Sequence, residues 1–282
     1  MKHKVTKDGL LIDELKLIYP DRSMNKIRAL LTNNRVLLDG VVVHEAKREI
    51  FNGQKIEIKN KILKKKKLSF EIIYEDEYLI VVNKPQKLLS VSTNKLEDDT
   101  MHSRVLNYIK NSKNRWIWIV HRLDKDTSGL MIFAKSESVK KQLQKMFSNN
   151  SITRIYYAIV EGIPYEQSGR IENYIVEGKN LFVRECKKST VGSRKAITNW
   201  MLLRNNDNFS LLKIIIETGR RNQIRVHLAG IKCPVVGDKK YSNSKNILDR
   251  LALHAGELEL LHPVTNEKIT FKCEHNFRKI YI

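Results

Sequence analysis

Apolar residues fall along this chain in two kinds of run, spaced ones over the first sixty residues and continuous ones further on. Leu10, Leu11, Leu15 and Ile18 recur at helical spacing up to Tyr19-Pro20, where proline stops a helix. Asp21-Arg22-Ser23 offers a cap, and Ile27, Leu30 and Leu31 give the apolar face of a second helix that stops at Asn33-Asn34. Val36-Leu37-Leu38 and Val41-Val42-Val43 flank Asp39-Gly40, a pair that supplies the positive φ angles of a tight hairpin. Asn52-Gly53 marks another turn, and Lys55-Ile56-Glu57-Ile58 alternates as a strand does. These elements make a small unit over residues 1–60. A basic linker over 61–69 follows, whose like charges repel and extend it. A larger domain then occupies 70–282.

In that domain, 70–74 and 79–82 read as strands around the turn Glu75-Asp76-Glu77, ending at Asn83-Lys84-Pro85, a good strand terminator. Residues 92–100 are polar, and Val105, Leu106 and Ile109 mark a helix. The stretch WIWIVHRLDKDTSGLMIFA over 116–134 has two apolar, β-prone ends, both read as buried strands, around a nine-residue polar loop. Ser136 caps a helix with Val139, Leu143, Met146 and Phe147 on one face, closed by Asn149-Asn150. Residues 153–162 form a strand whose alternation puts Tyr156, Ala158 and Val160 on one face. The span 165–208 is polar and reads as loop-rich. A buried strand over 209–216 leads into ETGRRNQIRVHLA, where Gly219 frees a tight strand-to-helix turn and Gly230 stops the helix. On that helix Arg221 and Arg225 share a face, as do Gln223 and His227.

Charge changes the picture most. The chain of 282 residues carries 52 Lys and Arg against 31 Asp and Glu, a formal net charge of +21. Seventeen basic residues against eight acidic ones lie in residues 1–68. Such an excess calls for a polyanionic partner, with salt-sensitive binding through phosphates. A membrane surface is not the expected partner, because there is no basic amphipathic helix or lipidation site. No apolar run reaches membrane-spanning length, and the start, MKHKVTKDG, lacks the apolar core of a signal peptide. The three cysteines, Cys186, Cys233 and Cys273, are far apart and lack zinc-site spacing. The expected setting is therefore a reducing cytoplasm, with no metal.

The polar loop at 121–129 presents two carboxylates, two cations, a histidine and two hydroxyls in nine residues. A loop pinned by two core strands is a rigid stage for chemistry. HRLDKDTSGL resembles the catalytic motif of the pseudouridine synthases, in the branch that pairs an RNA-binding module with the catalytic domain and modifies large-subunit ribosomal RNA or tRNA. TGRRNQIRVHL at 218–228 is similar to that family's second hallmark, with Asn222 where the usual residue is His. NKPQKL, TRIYYAIVEG, PVVGD, LALHA and LHP resemble its further motifs. Gln86 and Lys87 replace small residues, and Arg154 replaces the usual Lys. The amino-terminal unit resembles the RNA-binding module of the ribosomal-protein-S-four type, with Asn34 where that module has glycine.

The resemblance implies an α+β chain: a small α/β RNA-binding module, then a catalytic domain with a mixed, largely antiparallel central sheet flanked by helices and loops. It implies that Asp124 is the essential catalytic residue. Arg225 is expected to salt-bridge it and keep it ionised, since a carboxylate in a partly dry pocket otherwise tends to take up a proton. Arg122 would fill the space left by an extruded base. Tyr156 would stack on the base and assist in removing the last proton from carbon 5. Leu253 would pack in the site floor, while His121 and Thr127 shape the loop. Arg22, Ser23, Lys26, Arg28 and Arg35 would contact RNA. No cofactor is needed, because the reaction makes no net oxidation or group transfer. The expected substrate is structured RNA, large-subunit ribosomal RNA before tRNA, and the expected state a monomer.

Two other readings remain open. Asp124-Lys125-Asp126-Thr127 resembles the D-x-D-x-T of aspartyl-nucleophile phosphatases with its threonine one place early, and Asp238 is a weak partner for magnesium. A non-catalytic RNA-binding or ribosome-assembly protein would need only the amino-terminal unit and the charge.

Overall fold

The structure is a computed structural model and describes residues 2–33, 35–59, 70–92, 99–110, 116–242, 248–275 and 277. The chain divides into two compact units, 1–68 and 69–282. The basic linker lies wholly outside the described residues, as does most of the polar loop at 92–100.

The first unit runs β1 (Lys2–Lys4), β2 (Gly9–Leu10), α1 (Leu11–Ile18), α2 (Met24–Thr32), β3 (Val36–Leu38), β4 (Val41–Val42), β5 (Glu49–Ile50) and β6 (Lys55–Ile58). The Ser23 hydroxyl accepts the Lys26 N–H and caps α2. Asp39 and Gly40, at φ 49° and 85°, make the hairpin turn between β3 and β4. The strands order β1-β6-β3-β4, with β2 and β5 paired apart. Leu11, Leu15, Ile27, Leu31, Val36 and Ile56 close one apolar core. β1 carries no hydrophobic pattern; it exists because its backbone pairs with β6.

The second unit runs β7 (Glu71–Glu75), β8 (Leu79–Lys84), α3 (Met101–Ile109), β9 (Trp118–Ile119), β10 (Ser128–Ala134), α4 (Glu137–Ser148), β11 (Thr153–Glu161), β12 (Ser168–Glu177), β13 (Val183–Cys186), β14 (Arg194–Asn205), β15 (Phe209–Ile216), α5 (Gln223–Gly230), β16 (Leu253–Leu261) and β17 (Lys268–Lys272). Among the described residues its strands form one sheet ordered β13-β12-β14-β15-β11-β16-β10-β8-β7, with β9 added to β10 and β17 to β16. Its strand pairs are antiparallel except β10 with β16. The α+β class with a largely antiparallel central sheet therefore holds.

Two local expectations are corrected. Only Trp118–Ile119 of the apolar run 116–120 is strand, and Trp116 is exposed. The span 165–208 is not loop-rich; it holds β12, β13 and β14. Those strands read as polar because one face is left to solvent: β12 alternates exposed and partly buried positions along much of its length. In β11, Ile155 and Ile159 are buried as well as Tyr156, Ala158 and Val160, so both faces of this inner strand are covered.

The parallel contact of β10 with β16 fixes where the polar loop emerges. Gly129 pairs with Ala255 at φ +116°, and a Cβ there would sit 2.2 Å from the Ala255 carbonyl oxygen. Gly129→Ala is therefore expected to cost at least ~3 kcal/mol, combining backbone strain and overpacking. Denaturant unfolding of the purified variant checks this, and wild-type stability would refute it.

Candidate active site

The loop before β10 is held on both sides of Asp124. On one side the Ser90 hydroxyl donates to the Leu123 carbonyl at 2.7 Å and accepts the Leu123 N–H at 3.0 Å. On the other, the fully buried Lys84 ammonium donates to the carbonyls of Pro85, Leu88 and Lys125 at 2.9, 2.7 and 3.2 Å. Burial pulls the Lys84 pKa down to about 7, against the pull of Asp126 and Asp124. The Thr127 N–H donates to the Asp124 carbonyl at 3.1 Å and closes the turn. The His121 Nε2 accepts the Ile132 N–H at 3.1 Å, and its ring stacks on Phe147. Burial pushes His121 down to about 3, so its imidazole is neutral.

Asp124 lines a cavity of about 570 Å³ together with His121, Arg122, Arg154, Tyr156, Arg220, Asn222, Arg225 and Leu253. That size lies within the usual range for ligand sites of roughly 300–1,000 Å³. Among the described lining residues Asp124 is the one carboxylate, facing four arginines. Burial pushes its carboxyl above the usual carboxylate range, while Arg225, the Asn222 backbone N–H, Arg221 and Lys84 pull it back. The Tyr156 phenol is pushed up to about 12, chiefly by burial. Tyr156 also sits at the register shift of β11 against β16, the kind of irregularity that re-aims a side chain.

The expected salt bridge between Arg225 and Asp124 is not the one that forms. The Arg225 guanidinium makes a buried two-pronged pair with Asp238, Nε to Oδ2 at 2.7 Å and NH2 to Oδ1 at 2.6 Å. Its NH1 donates to Asn222 Oδ1 at 3.0 Å. Asp124 feels Arg225 as a nearby fixed charge instead. Asn222 opens α5 at φ 53°, a left-handed conformation that asparagine tolerates. Gln223 holds the preceding turn, its Oε1 accepting the Arg220 N–H and the Thr218 hydroxyl.

The structure thus brings His121, Arg122, Asp124, Tyr156, Arg225 and Leu253 to one cavity. Arg22, Ser23, Lys26, Arg28 and Arg35 are not among its lining residues; they belong to the first unit, at and beside α2. There Ser23, Lys26 and Arg28 are exposed, Arg22 lies over the Tyr19 ring, and Arg35 donates to the Lys59 carbonyl. In the sequence Ser90 carries no signal, Lys84 stands in a strand-terminating turn, and Asp238 stands in the PVVGD motif and as a weak metal partner, with no link to Arg225. The PVVGD motif was the available signal for Asp238; nothing local marks Ser90.

A pinned loop whose carboxylate is the one acid among the described lining residues, facing four arginines in a cavity of ligand size, suits chemistry on an anionic substrate. A family model described as RNA pseudouridylate synthase matches residues 78–230. A ribosomal large subunit pseudouridine synthase D of Haemophilus ducreyi is 31% identical over 93% of this chain and 86% of that protein. An RNA pseudouridine synthase of Synechocystis is 33% identical over 89% of this chain and 81% of its own length. The solved structure of human RNA pseudouridylate synthase domain containing 4 shares the fold, with TM-score 0.62 and 24% identity over 74% of this chain and 89% of that one. The chain belongs to the RNA pseudouridylate synthase family, isomerases that act on RNA. That membership displaces the phosphatase and non-catalytic readings; Asp126 is exposed.

Asp238→Asn leaves the buried Arg225 guanidinium without its counter-charge. Breaking such a pair costs about 3–5 kcal/mol, so the unfolding midpoint is expected to fall clearly. A variant as stable as the wild type would show that the pair contributes nothing.

Proposed function

We propose that this chain converts uridine to pseudouridine in large-subunit ribosomal RNA, with Asp124 as the reacting group. The observation that carries the reading is Asp124 as the lone described carboxylate in the arginine-lined cavity. The substrate class is supported by the relative from Haemophilus ducreyi, which is named for the large ribosomal subunit, and by the net charge of +21.

The reaction breaks the bond from the ribose C1′ to N1 of the base and makes one from C1′ to C5. The C5 proton leaves and N1 gains one, so atoms balance with no external reagent. Asp124 acts either as nucleophile at C1′ or as the base that starts cleavage; both need it ionised. Arg225, held in place by Asp238, stabilises that ionised form. The base packs between Tyr156 and Leu253. At neutral pH the Tyr156 phenol stays protonated, a donor rather than a ready base. Arg122, exposed at the cavity, fills the stack vacated by the extruded nucleotide. The amino-terminal unit is an RNA-binding module of the S-four type, contacting RNA through Arg22, Ser23, Lys26, Arg28 and Arg35. The chain works as a monomer in the cytoplasm.

Asp124→Asn is expected to abolish pseudouridine formation on unmodified large-subunit ribosomal RNA, by at least about a thousandfold; substantial remaining turnover would remove Asp124 from the mechanism. The pH profile gives a second check. The active form is the carboxylate and burial raises its pKa. kcat/KM should therefore fall as pH drops through a value above the ordinary aspartate range of about 4. Arg225→Gln should move that limb further up. A limb at or below about 4 in the wild type contradicts the assignment.

A further inference from the structure

A second cavity, of about 320 Å³, adjoins the catalytic one and has no part in the chemistry above. The two share Gly219 and Arg220, so they are neighbouring compartments on either side of one turn. That turn is rigid: Gln223 holds it, and Arg220 Nε donates to the Lys195 carbonyl at 3.3 Å. The second cavity has an apolar wall of Ile175, Val183 and Val191 and a basic rim of Arg194, Arg220 and Arg221.

Ile175 and Val183 also pack into a small apolar core with Ala196 and Val226, and Arg220 is engaged at the turn, so the groups left open to a ligand are Val191 and Arg194. Val191 is 94% exposed, an apolar side chain left in water at the edge of a cavity. The Arg194 guanidinium makes no hydrogen bond or ion pair with any described residue. Arg221 is held by Glu177 at 2.6 Å, and Glu177 is the one carboxylate among the described residues lining this cavity. Three arginines against one acid leave a positive excess that suits a phosphate, beside an apolar face that suits a base. The loop carrying Val191 is preformed: the Thr190 N–H donates to the Lys187 carbonyl, and the Ser193 hydroxyl to that of Lys188.

We propose that this cavity is a second nucleotide subsite, taking the RNA residue next to the uridine in the catalytic cavity, with its base on the Val191 wall and its phosphate on Arg194 and Arg220. The proposal rests on the reading of the first cavity as the uridine site. An RNA strand is continuous, so a nucleotide drawn into the first cavity carries its neighbour across the Gly219–Arg220 turn. The second compartment lies there.

Photo-cross-linking tests this on the full-length chain, with a thiouridine-containing oligouridylate as probe and peptide mapping as readout. Cross-links are expected within 175–194. Their yield should fall several-fold in Arg194→Gln and persist in Arg194→Lys, while cross-links to residues 1–59 stay unchanged. Arg194 is exposed, so its replacement leaves the fold intact. Absence of cross-links in 175–194, or a yield there indifferent to Arg194→Gln, overturns the subsite. The readout needs no turnover. A wild-type chain that cross-links at 175–194 but forms no pseudouridine in large-subunit ribosomal RNA would sink the substrate assignment and leave the subsite standing.

Discussion

A carboxylate taken out of water holds its charge only if positive charge is fixed close to it, and the catalytic unit is built around that constraint at Asp124. Burial works against ionisation there, and Arg225, Arg221, Lys84 and the Asn222 N–H work against burial. Each of those groups must itself be held. Arg225 is fixed by the two-pronged pair with Asp238, and Asp238 in turn accepts the N–H groups of Lys240 and Tyr241. Gly237, at φ +75°, precedes it where a Cβ would lie 2.0 Å from the Arg250 carbonyl oxygen. The glycine in PVVGD is therefore what lets the chain pass close enough to deliver Asp238.

This division of labour differs from a direct Arg225–Asp124 pair in a way that matters for chemistry. A guanidinium bound two-pronged to Asp124 would hold down its lone pairs and weaken it toward any substrate. A guanidinium anchored elsewhere supplies field without occupying the oxygens. The backbone is arranged in the same spirit. Ser90 and Lys84 fix the neighbours of Asp124, Leu123 and Lys125, and leave its own carboxylate to the cavity. Preorganisation of this kind places charge where it is needed before substrate arrives.

Much of this was legible in the sequence, for identifiable reasons. Buried strands such as β8 and β10 announce themselves as continuous apolar runs, and α2 and α4 by a serine cap ahead of an apolar face. The cavity-forming set His121, Arg122, Asp124, Tyr156, Arg225 and Leu253 was legible only through its motifs, because no local pattern joins residues so far apart in the chain. What stayed hidden was decided by tertiary pairing. β12 to β14 lie toward one end of the sheet with polar faces to solvent, so their apolar signal is halved. Trp116 looked like the start of a core strand, yet the strand begins at Trp118 because only there does β10 offer a partner. The Arg225 partner was misassigned for a related reason: charge complementarity says that an arginine needs an acid, but not which of two.

The departures from the family pattern can be read in the same physical terms. Asn222, standing where a histidine is usual, takes a left-handed conformation and uses its side chain to join Arg225 and the Tyr241 hydroxyl. It thereby extends the network that fixes Arg225. Arg154, standing for lysine, reaches with NH2 to the carbonyls of Ile216 and Glu217 at the end of β15 and lies over the Phe147 ring. A lysine ammonium could reach a carbonyl but lacks the planar group that lies over the ring. The arginine also brings NH1 to 2.9 Å from where a Cβ on Gly219 would stand. The glycine in the turn between the two cavities is thus matched to the arginine in β11. The turn that divides the compartments is held by Gln223, and the side chain absent at Gly219 leaves the room that the longer one at Arg154 takes.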